Sequence, residues 1–352
     1  MGAGEKVLPR RRKPFPFLGA DDEMTKYLIT GGAGFVGSHL AERLLDEGHS
    51  VTVLDDLSTG RWENIGPLAD DRRFKDRFQA VIASADDEAL LERLVPPVDF
   101  VFHLASAVGV KLIVDDPVGA VQRIVRPTER IADACARYRK PILLTSTSEV
   151  YGKSDKIPFR EDENVVIGPT CKHRWAYAVA KMLDEFYLLA HYKRSSLPVR
   201  IVRLFNTVGP RQTGQYGMVL PRFVDAALAG EPLLVCGDGK QMRCFTSVRD
   251  VVRGLIDVSR CPAAVGKVIN LGSDEEISIA ELAERVVKMT GSSSPIRYIS
   301  YEEAYGPNFD DMRRRVPCLD RAKELIGWRR DDTLDDVIGQ VIACRRNAQK
   351  TE

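Results

Sequence analysis

From Lys26 onward, short apolar runs alternate with longer amphipathic stretches. The pattern predicts strands over 27–30, 51–54, 100–104, 142–145 and 199–204, each apolar nearly throughout. Between them, helical spacing covers 38–47, ended by Gly48, and 131–138, which feeds the fourth strand. Continuous apolar strands joined by helices are the βαβ rhythm of a parallel sheet covered on both faces. The predicted fold class is therefore α/β, a Rossmann-type doubly wound parallel sheet. Past Gly209 the rhythm loosens into a Gly237-Asp238-Gly239 turn, a helix over 248–258 and another over 278–289 with Ser278 as N-cap. That irregularity predicts an end to the doubly wound sheet, with residues 25–209 mainly in the large domain and 210–345 mainly in a smaller α/β substrate-binding lobe. No internal repeat is visible.

Composition narrows the class without changing the fold. The 352 residues carry 44% hydrophobic and 29% charged side chains and a formal net charge of +1. Such a balance supplies no global field toward nucleic acid or membrane, and no apolar run approaches the ~20 residues that span a bilayer. Seven scattered cysteines without a Cys-x-x-Cys pair predict reduced thiols, a cytoplasmic setting and no metal site. Residues 1–24 differ: Lys6, Arg10, Arg11, Arg12 and Lys13 sit among prolines, before Asp21, Asp22 and Glu23. Lacking a long apolar core, this stretch is no signal peptide and is expected to be a disordered basic tail; a partner-binding arm is the alternative.

Glycines 31, 34 and 37 leave the first strand and open the first helix. In that context Gly31 permits a tight turn, Gly34 lets backbone approach a pyrophosphate, and Gly37 lets helix and strand pack closely. Phe35 and Val36 lead into the helix, whose N-terminus faces the phosphates. Asp55, ending the second strand, is placed to accept the adenosine ribose hydroxyls, which favours NAD over NADP. Arg61 nearby is the one residue that would tolerate a 2′-phosphate. Leu104 borders the cofactor through its backbone, while His103, at the end of a buried strand, is expected to be structural.

Tyr177 and Lys181 lie one helical turn apart, downstream of a strand ending in Thr147-Ser148-Glu149. A phenol with an ordinary pKa near ~10 needs help to act as a base at neutral pH, and a lysine ammonium supplies it. Lys181 also has the reach to hold the nicotinamide ribose. Thr147 is placed to hydrogen-bond the reacting hydroxyl and share its proton with Tyr177.

These segments resemble the extended short-chain dehydrogenase/reductase family, the nucleotide-sugar epimerases, dehydratases and decarboxylases. The resemblance runs from Lys26 to Trp328 and includes Asp55 to Gly60, His103-Leu104-Ala105, Thr147 to Gly152, Arg203 to Arg211 and Gly237 to Gln241. It implies NAD reduced in place, a ketone formed at sugar carbon 4, and a hydride later returned. It further implies that Ser148, Asn206, Arg211 and Arg243 contact the nucleotide sugar, and that the chain forms a homodimer through the tyrosine-bearing helix. One departure is the stretch Val81 to Asp86, which lacks the usual Gly-Asp-Ile beside adenine.

Within the family, Thr147-Ser148-Glu149, which is also similar to GDP-mannose dehydratases, the run from Gly168 to Trp175, and Arg243 to Thr246 resemble UDP-glucuronate decarboxylases. So does Asp310 to Pro317, which places Arg315 where those enzymes carry an arginine implicated in decarboxylation. A 4-ketone makes the carbon-5 carboxylate a β-keto acid; Arg315 would steady the resulting enolate and Glu149 organise its protonation. Two bland readings stand beside these: Arg315 as part of a solvated basic run, and Glu149 as a structural ligand. Ala107 to Val110 and Gln212 to Leu220 depart from the decarboxylase loops, which keeps a UDP-glucose or UDP-uronate 4-epimerase as the alternative. A non-catalytic NAD-binding regulator is the remote one.

Overall fold

The computed structural model describes residues 24–107, 116–214, 218–305 and 312–349. The expected tail before Met24, the residues Val108 to Val110 and part of the 212–220 loop lie outside the described residues, as do Asp310 and Asp311. Seven parallel strands make the main sheet: β1 (Lys26–Thr30), β2 (Ser50–Asp55), β3 (Phe78–Ile82), β4 (Phe100–His103), β5 (Ile142–Thr147), β6 (Val199–Leu204) and β7 (Val268–Leu271). Their spatial order is β7-β6-β5-β4-β1-β2-β3, so the winding reverses between β1 and β4. Ligands of such sheets bind in the crevice at that switch point, beyond the carboxyl ends of the strands.

Helix α1 (Phe35–Asp46) packs one face with Leu40, Ala41, Leu44 and Leu45, joining Ile29, Val53 and Phe102 in the core. The opposite face is covered by α2 (Pro117–Tyr138) and α3 (Trp175–Ser195), through Ile131, Cys135 and Leu188 against Val101, Leu144 and Ile201. Helix α2 starts fourteen residues earlier than the spacing of 131–138 suggested, because it carries Pro127 within it. Proline reads as a break, yet Ala120, Ile124, Pro127 and Thr128 all face inward at helical spacing, and the Asp116 carboxylate caps the first turn at Gly119 N–H, 2.9 Å away.

The expectation that the large sheet ends at Gly209 needs correction. After a first excursion the chain returns through α4 (Val248–Arg260), which packs on α1, and lays β7 beside β6. The amphipathic run 248–258 was legible as a helix, but nothing local says that Val268–Leu271 pairs with Ile201–Leu204. The remainder forms the smaller lobe, whose core joins Leu220, Phe223, Leu233, Leu282, Val286 and Ile338. Ser278 caps its helix Ile279–Thr290 with a reciprocal Glu281 contact, as expected. A short strand, Arg314–Arg315, returns from this lobe and pairs with Met242–Arg243, bringing two cations to the rim of the sheet.

Candidate active site

A cleft of about 960 Å³ runs over the carboxyl ends of the strands and beneath the smaller lobe. At one end lie Gly31, Gly34, Phe35, Val36 and Gly37, with Asp55, Arg61 and Leu104. Gly31 has φ of +71°, and a Cβ there would sit 2.6 Å from the amide nitrogen of Ala105. A Cβ on Gly37 would meet the carbonyl oxygen of Gly31 at 2.2 Å. Helix α1 begins at Gly34 without a side-chain cap, which leaves its first-turn amides to an anionic ligand. The cradle therefore fits the pyrophosphate of a dinucleotide.

Asp55 closes this end from β2. Its Oδ2 accepts the Ala33 N–H and its Oδ1 the Leu57 N–H, both at 2.9 Å. Burial raises its carboxyl pKa in spite of those amides, and the carboxylate still borders the cleft. Ser84, Ala85 and Asp86 line the same wall, where the sequence lacks the usual glycine-aspartate pair. His103 is wholly buried between two hydroxyls, Thr30 Oγ1 at 2.7 Å and Thr128 Oγ1 at 3.0 Å. Burial, aided by the charge of Lys181, pushes it down to about 3. It is a neutral structural link.

At the centre stand Thr147 and Tyr177, whose side chains are hydrogen-bonded. Thr147 ends β5 and caps the short turn Ser148–Tyr151 by accepting the Glu149 N–H at 3.2 Å. Tyr177 stands in the first turn of α3, with Lys181 one turn on. The register between helix and sheet is fixed by Glu185, which accepts Ser146 Oγ at 2.5 Å and is forked by Arg203 at 3.0 and 2.7 Å. Burial raises the phenol of Tyr177, and the charge of Glu149 and, less strongly, that of Asp184 add to it, while the Thr147 hydrogen bond and the charge of Arg315 work the other way. Lys181 is 1% exposed, and its ammonium lies 2.9 Å from Asp184 Oδ2.

At the far end, Glu149 lies between two arginines. Arg315 Nη2 reaches its Oε1 and Arg174 Nη2 its Oε2, each at 2.7 Å. Burial works against ionisation there, but the two guanidiniums overcome it and hold the carboxyl at about 2. Arg315 is thus buried at the site and is not part of a solvated run. Its Nη1 lies 3.4 Å from Ser148 Oγ, and its Nε is buried without a hydrogen-bond partner.

Asn206, Arg211 and Arg243 also line the cleft. Arg211, at φ of +66°, has its guanidinium 2.6 Å from Glu42 of α1, so in this state it ties the loop after β6 to that helix. Arg243 is buried and donates to the Met242 carbonyl at 2.9 Å. Beyond it, Gln241 donates to the Tyr301 hydroxyl at 2.8 Å, beside Leu234 and Phe245. Tyr301, Arg174 as partner of Glu149, and the Glu185 fork went unread in the sequence; the only signal was polar residues at otherwise apolar helix and strand positions.

Residues 27–272 match the family model described as the NAD dependent epimerase/dehydratase family. The chain belongs to this family. Its cofactor is NAD, as the Gly31–Gly37 cradle and Asp55 led one to expect. It is 41% identical to the UDP-N-acetyl-alpha-D-glucosaminuronate decarboxylase of Bacillus cytotoxicus, over 85% of this chain and 90% of that one. The UDP-glucose 4-epimerase of Mycolicibacterium smegmatis is 34% identical over 91% and 98% of the two chains. Among solved structures, the UDP-glucuronic acid 4-epimerase of Bacillus cereus, in complex with UDP-glucuronic acid and NAD, aligns with a TM-score of 0.81. That alignment has 26% identity and covers 92% of this chain and 99% of that one.

Proposed function

We propose that this family member decarboxylates a UDP-hexuronate through a 4-keto intermediate. One observation carries the choice: two guanidiniums, Arg174 and Arg315, flank the single carboxylate of Glu149 beside Tyr177 and Thr147. Arg315 is buried at the edge of the cleft with an Nε–H that has no hydrogen-bond partner among the described residues, and a substrate carboxylate would offer one. The likeness to decarboxylases of UDP-N-acetylglucosaminuronate and UDP-glucuronate supports the same reading. The higher identity to the former makes the 2-acetamido sugar the first substrate to test.

Tyr177 takes the proton of the carbon-4 hydroxyl, through or alongside Thr147, as the carbon-4 hydrogen leaves as hydride. Bound NAD supplies the hydride acceptor and a positive ring charge that favours the phenolate. The carbon-5 to carboxyl bond then breaks, carbon dioxide departs, and its electrons enter an enolate across carbons 5 and 4. The Arg315 guanidinium offers fixed charge to that enolate without reorganisation. Protonation at carbon 5 and return of hydride to carbon 4 complete a pentose, while Tyr177 returns its proton to the oxygen. Glu149, ionised across the working pH range, orients both arginines.

The test is incubation of the purified protein with NAD and each UDP-uronate, with products read by mass spectrometry. Loss of carbon dioxide supports the reading, and the product mass separates a ketopentose from a pentose. An isomer of unchanged mass would overturn it in favour of the 4-epimerase, which the Mycolicibacterium relative keeps as the second reading. The exposed stripe Val179, Leu183 and Phe186 on α3 supports a homodimer, checked by light scattering. No helix among the described residues is long and apolar enough to cross a membrane; free cysteines support action in the cytoplasm.

A further inference from the structure

Lys181 and Asp184 are each 1% exposed, and Nζ lies 2.9 Å from Oδ2. The other carboxylate oxygen, Oδ1, is buried and accepts no hydrogen bond at ordinary distance. A carboxylate is costly to bury in this way unless a cation nearby needs it. The pair is not isolated. The Thr128 hydroxyl of α2 interacts with Asp184 and lies 3.0 Å from His103 Nε2 on β4. His103 Nδ1 meets Thr30 Oγ1 at 2.7 Å, and that oxygen accepts the Ala105 N–H at 3.3 Å. Ala105 is the residue against which Gly31 closes. Polar side chains thus line a buried path from Lys181 toward the turn that cradles the cofactor.

We infer that Asp184 is a positioning residue, which seats the Lys181 ammonium against the cofactor site and sets the charge balance around Tyr177. The inference rests on Tyr177 and Lys181 serving the oxidation step, and not on which sugar is oxidised. Without Asp184 the ammonium has no other ion-pair partner among the described residues. Its neighbours cannot stand in: Glu185 is committed to Arg203 and Ser146, and His103 is neutral. The charged groups facing Tyr177 are Glu149 and Arg315 from across the cleft, with Asp184 and Lys181 from its own helix. Asp184 is one of two negative charges opposing the phenolate. Neutralising it makes the phenol easier to ionise.

Two readouts test this on the full-length protein. First, the pH dependence of nicotinamide reduction is followed by ultraviolet absorbance, on whichever UDP-sugar the unmodified protein oxidises. A failed uronate reading therefore leaves the comparison intact. In Asp184→Asn the rising limb should move toward acid by about one pH unit, and in Asp184→Glu it should return toward its original position. A purely structural role would lower the curve without moving it. Second, calorimetry with NAD alone should show affinity several-fold weaker in Asp184→Asn, recovering in Asp184→Glu. Should the asparagine variant not fold, Asp184→Ser, which leaves room for water beside the ammonium, carries both measurements. An unmoved limb with unchanged NAD affinity in a folded neutral variant would overturn the inference.

Discussion

At the dinucleotide end of the cleft the chain works through backbone: a left-handed Gly31, an uncapped helix start, and a carboxylate held by two amides. At the sugar end it works through side-chain charge: Glu149 between Arg174 and Arg315, with Arg243 alongside. The first end is built on residues 31 to 55, with Arg61, Ser84 to Asp86 and Leu104 completing its wall. The second is assembled from four segments as far apart as 149 and 315. Backbone sites are defined by what must be missing, namely a Cβ, so they fail by steric exclusion. Charge sites are defined by what must be balanced, so they fail by desolvation and are sensitive to pH.

Tyr177 belongs to both ends, and its loss should be the largest effect. Tyr177→Phe should lower turnover by about 10³-fold or more while NAD affinity by calorimetry changes little. If affinity fell in parallel, the separation of the two ends would be wrong. Gly37→Ala puts a Cβ 2.2 Å from a backbone carbonyl, so NAD binding should drop at least about 100-fold with no change in the pH profile of residual activity.

In the proposed decarboxylation, Arg315→Met removes the enolate's cation but none of the oxidation machinery. Carbon dioxide release should fall by about 10²–10³-fold, while reduction of nicotinamide, followed by absorbance, persists. Equal losses in both would place Arg315 in binding rather than in the decarboxylation step.

Glu149 sharpens the same contrast through pH. Its carboxyl is held at about 2, below its ordinary value near ~4.3. The stabilisation this represents is present in full above the ordinary value and is lost as pH falls toward 2. It is on the order of 3 kcal/mol. Glu149→Gln should therefore lower the melting temperature at neutral pH yet flatten the acid side of the melting curve between about pH 4 and 2. Parallel curves for the two proteins would mean that the arginines find other anions.

A buried charge away from the cleft makes the mildest prediction. Arg200, 4% exposed, has the Cys261 carbonyl at 3.4 Å and the Phe100 ring at 5.5 Å as contacts. Burial lowers its pKa to about 10. Because no acid among the described residues pairs with it, Arg200→Met should change stability by no more than about 1 kcal/mol, in either direction. Chemical denaturation measures this, and a large loss would show that buried charge in this fold is structural wherever it occurs.

The same contrast explains what could be read from the chain. The glycine cradle, Asp55, Thr147, Tyr177 and Lys181 were legible because their spacing is local and each sits where a strand meets a helix. Glu149 was visible as a residue but not as the partner of Arg174 and Arg315, since ion pairs across the fold leave no periodic trace. Asp184 sat in plain sight within one turn of Lys181, but an acid near a lysine on a helix reads as a surface pair. Only burial distinguishes it. The return of β7 to the main sheet was hidden for a related reason: four residues, Val268–Leu271, carry no mark of the strand that receives them.

That return has a practical side. The chain leaves the large sheet after β6, comes back for α4 and β7, and departs again before Arg314–Arg315 reaches the site. Cutting after residue 209 would strip β6 of one of its two neighbours and bare an edge that carries Val199, Ile201 and Val202, all 0% exposed in the intact protein. An unpaired apolar edge invites aggregation. Neither half is thus a module that can be expressed, swapped or shuffled on its own; exchanging the sugar specificity of this scaffold means transplanting several separate stretches at once.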